Sequence, residues 1–418
     1  MAESRYAKMT IVYSGAEVTG KVREYLRSAS YTDAANGESD SISLEFEDRD
    51  QKWIGPWRPE KGDRMAANIR TYNWIEERDK YNFYCGNFLI DDFSARGFPR
   101  IVNVGGVSVP QNDNFRSENV TKTWTAMGLR QIAADIAGRA GVQLVYDASD
   151  IRIDSIEQNN RPDCTFLKEL CNAYGYSMKI HSEKLIIYDT EAYEKKREIC
   201  SIDETDMISY EYNDTIQGSY TGAVMSFMDP NNEAEYEVQI GTPERMCEIN
   251  KTADSLADAE KKGIAALNME NRKITTMTVT IMARPGLAAT SCVEITGLKS
   301  MDGKYFIDKI RHSLGASGKY TMVLTLHKVI PWIKTVSVAT VEAAKTEGTR
   351  DEEYEVQPGD TLWDIAARKL GKGSLYVKIY NDNKNVIEET AKKHGKASSD
   401  NGHWIWPGEV LVLHNVTG

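Results

Sequence analysis

The sequence predicts an α+β fold, mainly β: two β-barrel domains with an α/β insert between them and a small βααβ module at the C-terminus. Three observations predict it. Alternating apolar and polar residues, the mark of strands with one buried face, fill about the first hundred positions and return after Ile202. Between these stretches, from about Asn119, apolar residues recur at helical spacing. After Pro331 bulky apolar residues thin out before a last compact unit begins near Glu352. The shifts divide the 418 residues into a first β-barrel (1–117), an α/β insert (118–199), a second β-barrel (200–330), a linker (331–350) and a terminal module (351–418).

Each element has a local reason. Ser41–Glu47 alternates strictly, with Ile42, Leu44 and Phe46 on one face. Trp53 and Trp57 surround a Gly55-Pro56 turn, and 81–91 and 101–109 read as strands separated by a turn at Gly97-Phe98-Pro99. Gly105-Gly106 reads as a turn or bulge. In the insert, Trp124, Met127, Ile132, Ala133, Ile136 and Ala140 suggest a helix that stops at Gly141. A second helix is expected after Asp163 as N-cap, with Phe166, Leu167, Leu170, Cys171 and Tyr174 on one face and a stop at Gly175. A hairpin should follow, 176–180 and 185–188, turning at Ser182-Glu183. The third block alternates at 276–281 and 320–326, reads as strand at 305–310, and holds one helix near 253–268.

Composition narrows the function. A formal net charge of -11 without any Lys/Arg cluster argues against nucleic acid. No stretch approaches the roughly 18 apolar residues of a spanning helix, so no membrane span is expected. The first eight residues lack the apolar core of a secretory leader, so synthesis in the cytoplasm is expected. The six cysteines (Cys85, Cys164, Cys171, Cys200, Cys247, Cys292) show no C-x-x-C pair and are read as reduced thiols. The histidines, His181 and His312 among them, have no metal-ligand spacing, and no nucleophile elbow, Cys/His pair or phosphate loop is present. No catalytic residue, metal or cofactor is therefore assigned. Acid pairs such as Asp91 and Asp92 are expected by chance among 62 acids.

The sharpest signal is local. Tyr354 and Val356 alternate on a short strand, Pro358-Gly359 turns, and Asp360 or Thr361 caps a helix whose Leu362, Ile365 and Ala366 face inward. A second helix carries Tyr376, Ile379 and Tyr380 ahead of Asn383, and Pro407-Gly408 leads to a closing strand at 410–413. This pattern resembles the LysM domain. The resemblance implies binding of N-acetylglucosamine-containing glycans in a shallow groove, with Gly359, Asp360, Thr361 and Leu362 forming one side. A segment at 386–403, with its own helical stretch at 387–393, replaces the usual short loop on the other side. It leaves two readings open, glycan binding or a LysM fold used for protein docking.

A second resemblance spans roughly 1–329. Residues 86–92, 107–109, 129–137 leading to 141–144, Gln158 through Gly175, 185–188, 303–312 and 318–320 are similar in order and spacing to the late control protein D family and related hub proteins of contractile phage tails. The resemblance implies two tube-like β-barrels per chain, so that a homotrimer offers a pseudo-sixfold face to a hexameric tail tube and a threefold face to a spike. The expected function is a non-enzymatic baseplate hub of a phage tail or bacteriocin. Its partners would be tube, spike and other baseplate proteins, with peptidoglycan added in the glycan-binding reading of the LysM module, within a particle released by lysis. The alternative is a tail-associated peptidoglycan hydrolase targeted by its LysM module.

Overall fold

The computed structural model describes residues 4–108, 114–216, 218–228, 234–340 and 350–416. The chain forms two compact units, one comprising 1–223, 240–247 and 260–335, the other 224–239, 248–259 and 336–418. The architecture is α+β and mainly β, as the alternation predicts.

In the first unit the N-terminal block supplies β1 (Tyr6–Tyr13), β2 (Ala16–Glu17), a helical turn α1 (Thr19–Val22), β3 (Leu26–Ala34), β4 (Ser41–Glu47), β5 (Arg64–Tyr72), β6 (Lys80–Arg96) and β7 (Ile101–Val107). The insert supplies α2 (Asn114–Ser117), β8 (Asn119–Gly128), α3 (Leu129–Ala140), β9 (Gln143–Asp147), β10 (Arg152–Pro162), α4 (Asp163–Ala173), β11 (Tyr176–His181), β12 (Lys184–Asp189) and α5 (Thr190–Glu194). The third block, of which 224–239 and 248–259 belong to the second unit, follows with β13 (Ser201–Asp203), β14 (Met207–Asp214), β15 (Gly222–Met228), β16 (Glu235–Gly241), β17 (Met246–Glu248), α6 (Leu256–Asn271), β18 (Thr275–Met282), β19 (Cys292–Thr296), β20 (Gly303–Gly315) and β21 (Tyr320–Lys328).

The two β-rich blocks are joined rather than separate. One sheet runs β14-β18-β21-β20-β3-β4-β7-β6-β5-β1-β2, with β19 and β13 attached beside β20. The seam is the antiparallel pairing of Lys309–Gly315 with Ser28–Ala34. A single apolar core fills both blocks, from Met9, Tyr31 and Phe46 to Val279, Tyr305 and Leu324. The strands curl far enough for the Ala7 N–H in β1 to donate to the Gly318 carbonyl in the β20–β21 turn at 3.0 Å. β20 makes this possible by changing partner. Its first residues pair with β19, its last with β3, and a bulge at Asp308 separates the two.

Some local expectations differ from what the fold shows. Gly105 and Gly106 lie within β7, not in a turn; the bulge is opposite them, at Asp91 in β6. A Cβ on Gly106 would meet the Leu89 carbonyl at 3.1 Å and the Phe88 Cβ at 3.2 Å, so close strand packing explains the glycine. Trp124 and Met127 belong to β8, and the helix begins only at Leu129. Alternation in β8 puts Trp124 inward, stacked on Phe166 at 5.2 Å, which a helical spacing had mimicked. Asp163 is not the cap of α4 but lies in its first turn, buried and held by the Arg139 guanidinium at 2.6 Å. The hairpin of β11 and β12 turns at Ser182 and Glu183, both with positive φ (50° and 63°).

The expected linker is in part packed structure. Ile333 N–H donates to Asn268, Lys334 pairs with Glu191 at 2.6 Å, and 336–340 forms a strand, β22 (Val336–Thr340). This strand completes a four-stranded sheet ordered β17-β15-β16-β22. Residues 341–349 lie outside the described residues. The terminal module contains β23 (Arg350–Glu355), α7 (Leu362–Lys369), a 3-10 turn at Gly373–Leu375, α8 (Tyr376–Asp382), α9 (Lys384–Lys393) and β24 (Val410–Val416), with β23 antiparallel to β24. Among the described residues no helix is long and apolar enough to cross a membrane.

Candidate functional site

The terminal module is built around Val356, Leu362, Ile365, Ala366, Ile379, Tyr380, Ile387, Leu411 and Leu413. Two polar devices hold it. At the entrance Gly359 takes φ +91°, which lets the chain reverse after Pro358. Thr361 then caps α7, its hydroxyl accepting from the Asp364 N–H at 3.1 Å. At the exit Asn383 is buried and bridges three backbone groups: its amide donates to the Ile379 and Val412 carbonyls at 2.8 Å, and its oxygen accepts from the Val412 N–H at 2.7 Å. Asn383 therefore ties the α8–α9 junction to the closing strand.

Of the four residues expected to line one side of a groove, each already has a structural task. Gly359 is exposed, and a Cβ there would meet nothing within 4 Å. The Asp360 carboxylate accepts from the Tyr354 hydroxyl at 2.6 Å, from the Gln357 N–H at 2.9 Å and from Arg368. Burial raises its proton affinity, but these bonds outweigh burial and hold the carboxyl below the usual aspartate range. The Thr361 hydroxyl donates to Asp364 at 2.7 Å while accepting from its N–H. Leu362 is only 2% exposed and belongs to the core. The turn brings these residues together in sequence but leaves a ligand chiefly backbone groups to bind.

The opposite side is made by the segment at 386–403, which includes most of α9. Glu388 accepts from the Ser399 N–H at 3.1 Å and the Tyr380 hydroxyl at 2.9 Å, fastening the following loop onto α8. Gly402 sits against the expected groove wall: a Cβ on it would lie 2.3 Å from Leu362 Cδ1 and 3.1 Å from Tyr380 Cδ2. The inserted loop thus packs directly on the residue that begins α7. Beyond it lies an aromatic surface that motif reading passed over. Lys396 lies 4.3 Å over the Trp404 ring, His403 meets Trp404 edge-on at 4.9 Å, and His394 stacks on Trp406 at 4.7 Å. The density of Trp404, Ile405 and Trp406 just before a strand was the available signal. Within the same unit, Ser374 donates to Glu235 of β16 at 2.8 Å, both side chains being buried. The 3-10 turn ahead of α8 is therefore already a protein-contact face.

The first unit offers a surface of another kind. β14 ends the long sheet, pairs only with β18 among the described strands, and exposes Ile208 and Tyr210. Phe98, at the tip between β6 and β7, is 85% exposed. Open strand edges and exposed apolar tips are features of surfaces that meet other chains. Among the described residues no group of three His, Cys, Asp or Glu side chains is arranged to hold a metal ion.

Residues 354–386 match the LysM domain family. Over 60 residues, 14% of this chain and 26% of the other, the sequence is 38% identical to an uncharacterized protein of Bacillus subtilis, YqbP. Over 219 residues, 51% of this chain, it is 24% identical to a protein of Escherichia phage P2 described as a probable baseplate hub protein. The chain spans about half the length of that phage relative (54%) and about a quarter of the Bacillus one. The fold is shared with the 43 kDa tail protein of prophage MuSo2 from Shewanella oneidensis, with a TM-score of 0.60 at 13% identity, covering 78% of this chain and 98% of that one. A LysM domain therefore closes a chain whose larger part has the fold of phage tail proteins and the sequence likeness of baseplate hubs.

Proposed function

We propose that this protein is a structural hub in the baseplate of a contractile phage-like tail or bacteriocin, a homotrimer adapting a hexameric tube to a trimeric spike. The observation that carries the reading is the joined pair of β blocks in one chain, in a fold common to nearly the full length of a phage tail protein. Two β blocks per subunit suit a ring in which three copies meet six-fold symmetry. The domain division at 1–117, 118–199 and 200–330 belongs to this reading, with the insert as a body outside the tube wall. The open edge at β14 and the exposed Phe98 tip are available to neighbouring chains.

For the LysM domain, docking against baseplate neighbours is favoured over glycan capture. Gly402 packs on Leu362, and Asp360 and Thr361 have their hydrogen-bonding groups engaged within the module. Light scattering on the purified full chain at rising concentration tests the assembly, with a mass three times that of the monomer expected. Absence of the protein from purified tail particles overturns the reading. Incubation with insoluble cell walls separates it from the hydrolase alternative: no release of soluble muropeptides is expected, and robust release would make the protein an enzyme.

A further inference from the structure

The α/β insert has its own apolar core, formed by α3, α4 and the β11-β12-β9 sheet, distinct from the core of the long sheet. They meet through a small apolar cluster, in which Tyr188 of β12 packs with Ala35, Cys292 and Phe306, and through polar contacts on either side of it. Two ionic clusters supply these contacts, and each combines two carboxylates, one permanent cation and one histidine. In the first, Lys179 of β11 reaches Asp33 at 2.7 Å and Asp40 at 3.8 Å, and His181 Nδ1 meets Asp40 at 2.6 Å. In the second, Arg272 after α6 pairs with Glu194 of α5 at 2.7 Å and with Asp308 at 3.4 Å. His327 of β21 stands between the same two acids, Nδ1 at 2.7 Å from Asp308 and Nε2 at 3.1 Å from Glu194. The bulge in β20 is what aims Asp308 at this cluster.

His327 occupies a junction that its proton decides. Asp308 engages Nδ1, which fixes a proton there. Nε2 faces both a donor, the Arg272 Nε–H at 3.2 Å, and an acceptor, Glu194 Oε1. When neutral at Nε2 the ring accepts the Arg272 Nε–H, and only with a proton of its own does Nε2 bond the Glu194 carboxylate of the insert. With two carboxylates and one guanidinium, the cluster is charge-balanced only when His327 is an imidazolium. The remaining neighbours carry no charge that would substitute: the Phe306 ring at 5.2 Å, Thr276 across from it on β18, Trp332 donating to Glu194 at 2.8 Å, and the Tyr188 hydroxyl of β12 bonded to the Ala35 carbonyl. Burial lowers the proton affinity of His327, but Asp308 and Glu194 outweigh burial and raise it above the ordinary histidine value.

We propose that His327 is the proton-dependent keystone of a latch holding the α5 end of the insert to the long sheet, so that its deprotonation loosens that end while both cores stay folded. The direction follows from linkage. A histidine whose affinity is raised in the closed state contributes fully below the free imidazole pKa of about 6.5 and loses its contribution as pH rises through the raised value. The Lys179 cluster, the apolar contact of Tyr188 with Phe306 and Cys292, and the Lys334–Glu191 pair keep the insert attached, so the response is loosening and not release.

The test uses the full chain with ¹⁵N-labelled histidine, titrated from pH 5.5 to 9, together with amide exchange followed by mass spectrometry. His327 Nε2 should titrate above 6.5, and protection of peptides covering 184–196 should fall through the same midpoint, by up to about tenfold per pH unit. Peptides from α3, inside the insert core, serve as the reference and should show no such step after correction for intrinsic exchange. The variant H327Q should show low protection of 184–196 at every pH, without a step. A His327 midpoint at or below 6.5, protection that stays flat through it, or an H327Q variant that keeps the step overturns the proposal. If H327Q loses α3 protection as well, the wild-type titration alone decides.

Discussion

Buried polar side chains show where single residues matter most in this protein. Asn383 satisfies three backbone groups at once. Asn383→Ala should cost about 2–4 kcal/mol of LysM stability, because a carbonyl and an N–H of β24 lose their partner. Chemical denaturation followed by tryptophan fluorescence measures it, since Trp363, Trp404 and Trp406 report on this module. The cysteines make a second case. All six are free thiols. Burial pushes Cys85 and Cys171 far above the ordinary thiol range and Cys292 up to about 11. In a native titration with a thiol reagent at pH 8 these three should stay silent until denaturant is added, whereas the half-buried Cys164, Cys200 and Cys247 should react first. His312, by contrast with His327, is enclosed by Tyr31, Phe83 and Tyr320, and burial drives its pKa down to about 3. It is a neutral core residue across the whole range in which His327 titrates.

At the level of elements, partner changes and insertions decide the architecture. β20 serves β19 at one end and β3 at the other, so a single bulge lets one strand join the two blocks through residues as far apart in sequence as Ser28 and Gly315. The segment at 386–403 works in the opposite direction, adding α9 and a loop to a fold that does not require them. Its fit depends on Gly402, whose φ of +82° and contact with Leu362 leave no room for a side chain. Gly402→Val should destabilise the module by about 2–4 kcal/mol through strain and overpacking. Differential scanning calorimetry checks it, and a neutral result would mean that the loop does not rest on α7. Gly359 presents the contrasting case of an exposed turn glycine with open space around its Cβ, needed for its φ alone.

For the whole molecule, separate apolar cores set the thermodynamics. The long sheet, the insert and the LysM module each bury their own cluster, and the chain forms two compact units. Unfolding should therefore show more than one calorimetric transition in the monomer, with Asn383→Ala lowering only the one that belongs to the LysM unit. A single cooperative transition shifted as a whole by that variant would contradict the independence of the cores.

Periodic, local features of this protein were determined by sequence alone. Alternation located β4, β18 and β21; glycines and turn residues ended α3 and α4 and closed the β11–β12 hairpin; and the opening and closing motifs of the LysM domain stood out without any structure. These depend on side-chain period and backbone conformation within a few residues, which a sequence displays directly. Tertiary structure alone decided that β20 would join the two β blocks into one sheet, that 331–340 would pack instead of linking, and that Gly402 would lean on Leu362. It also brought Glu194, Arg272, Asp308 and His327 around one buried site. Such contacts between distant segments depend on which surfaces meet when the chain closes on itself. No local period records that meeting.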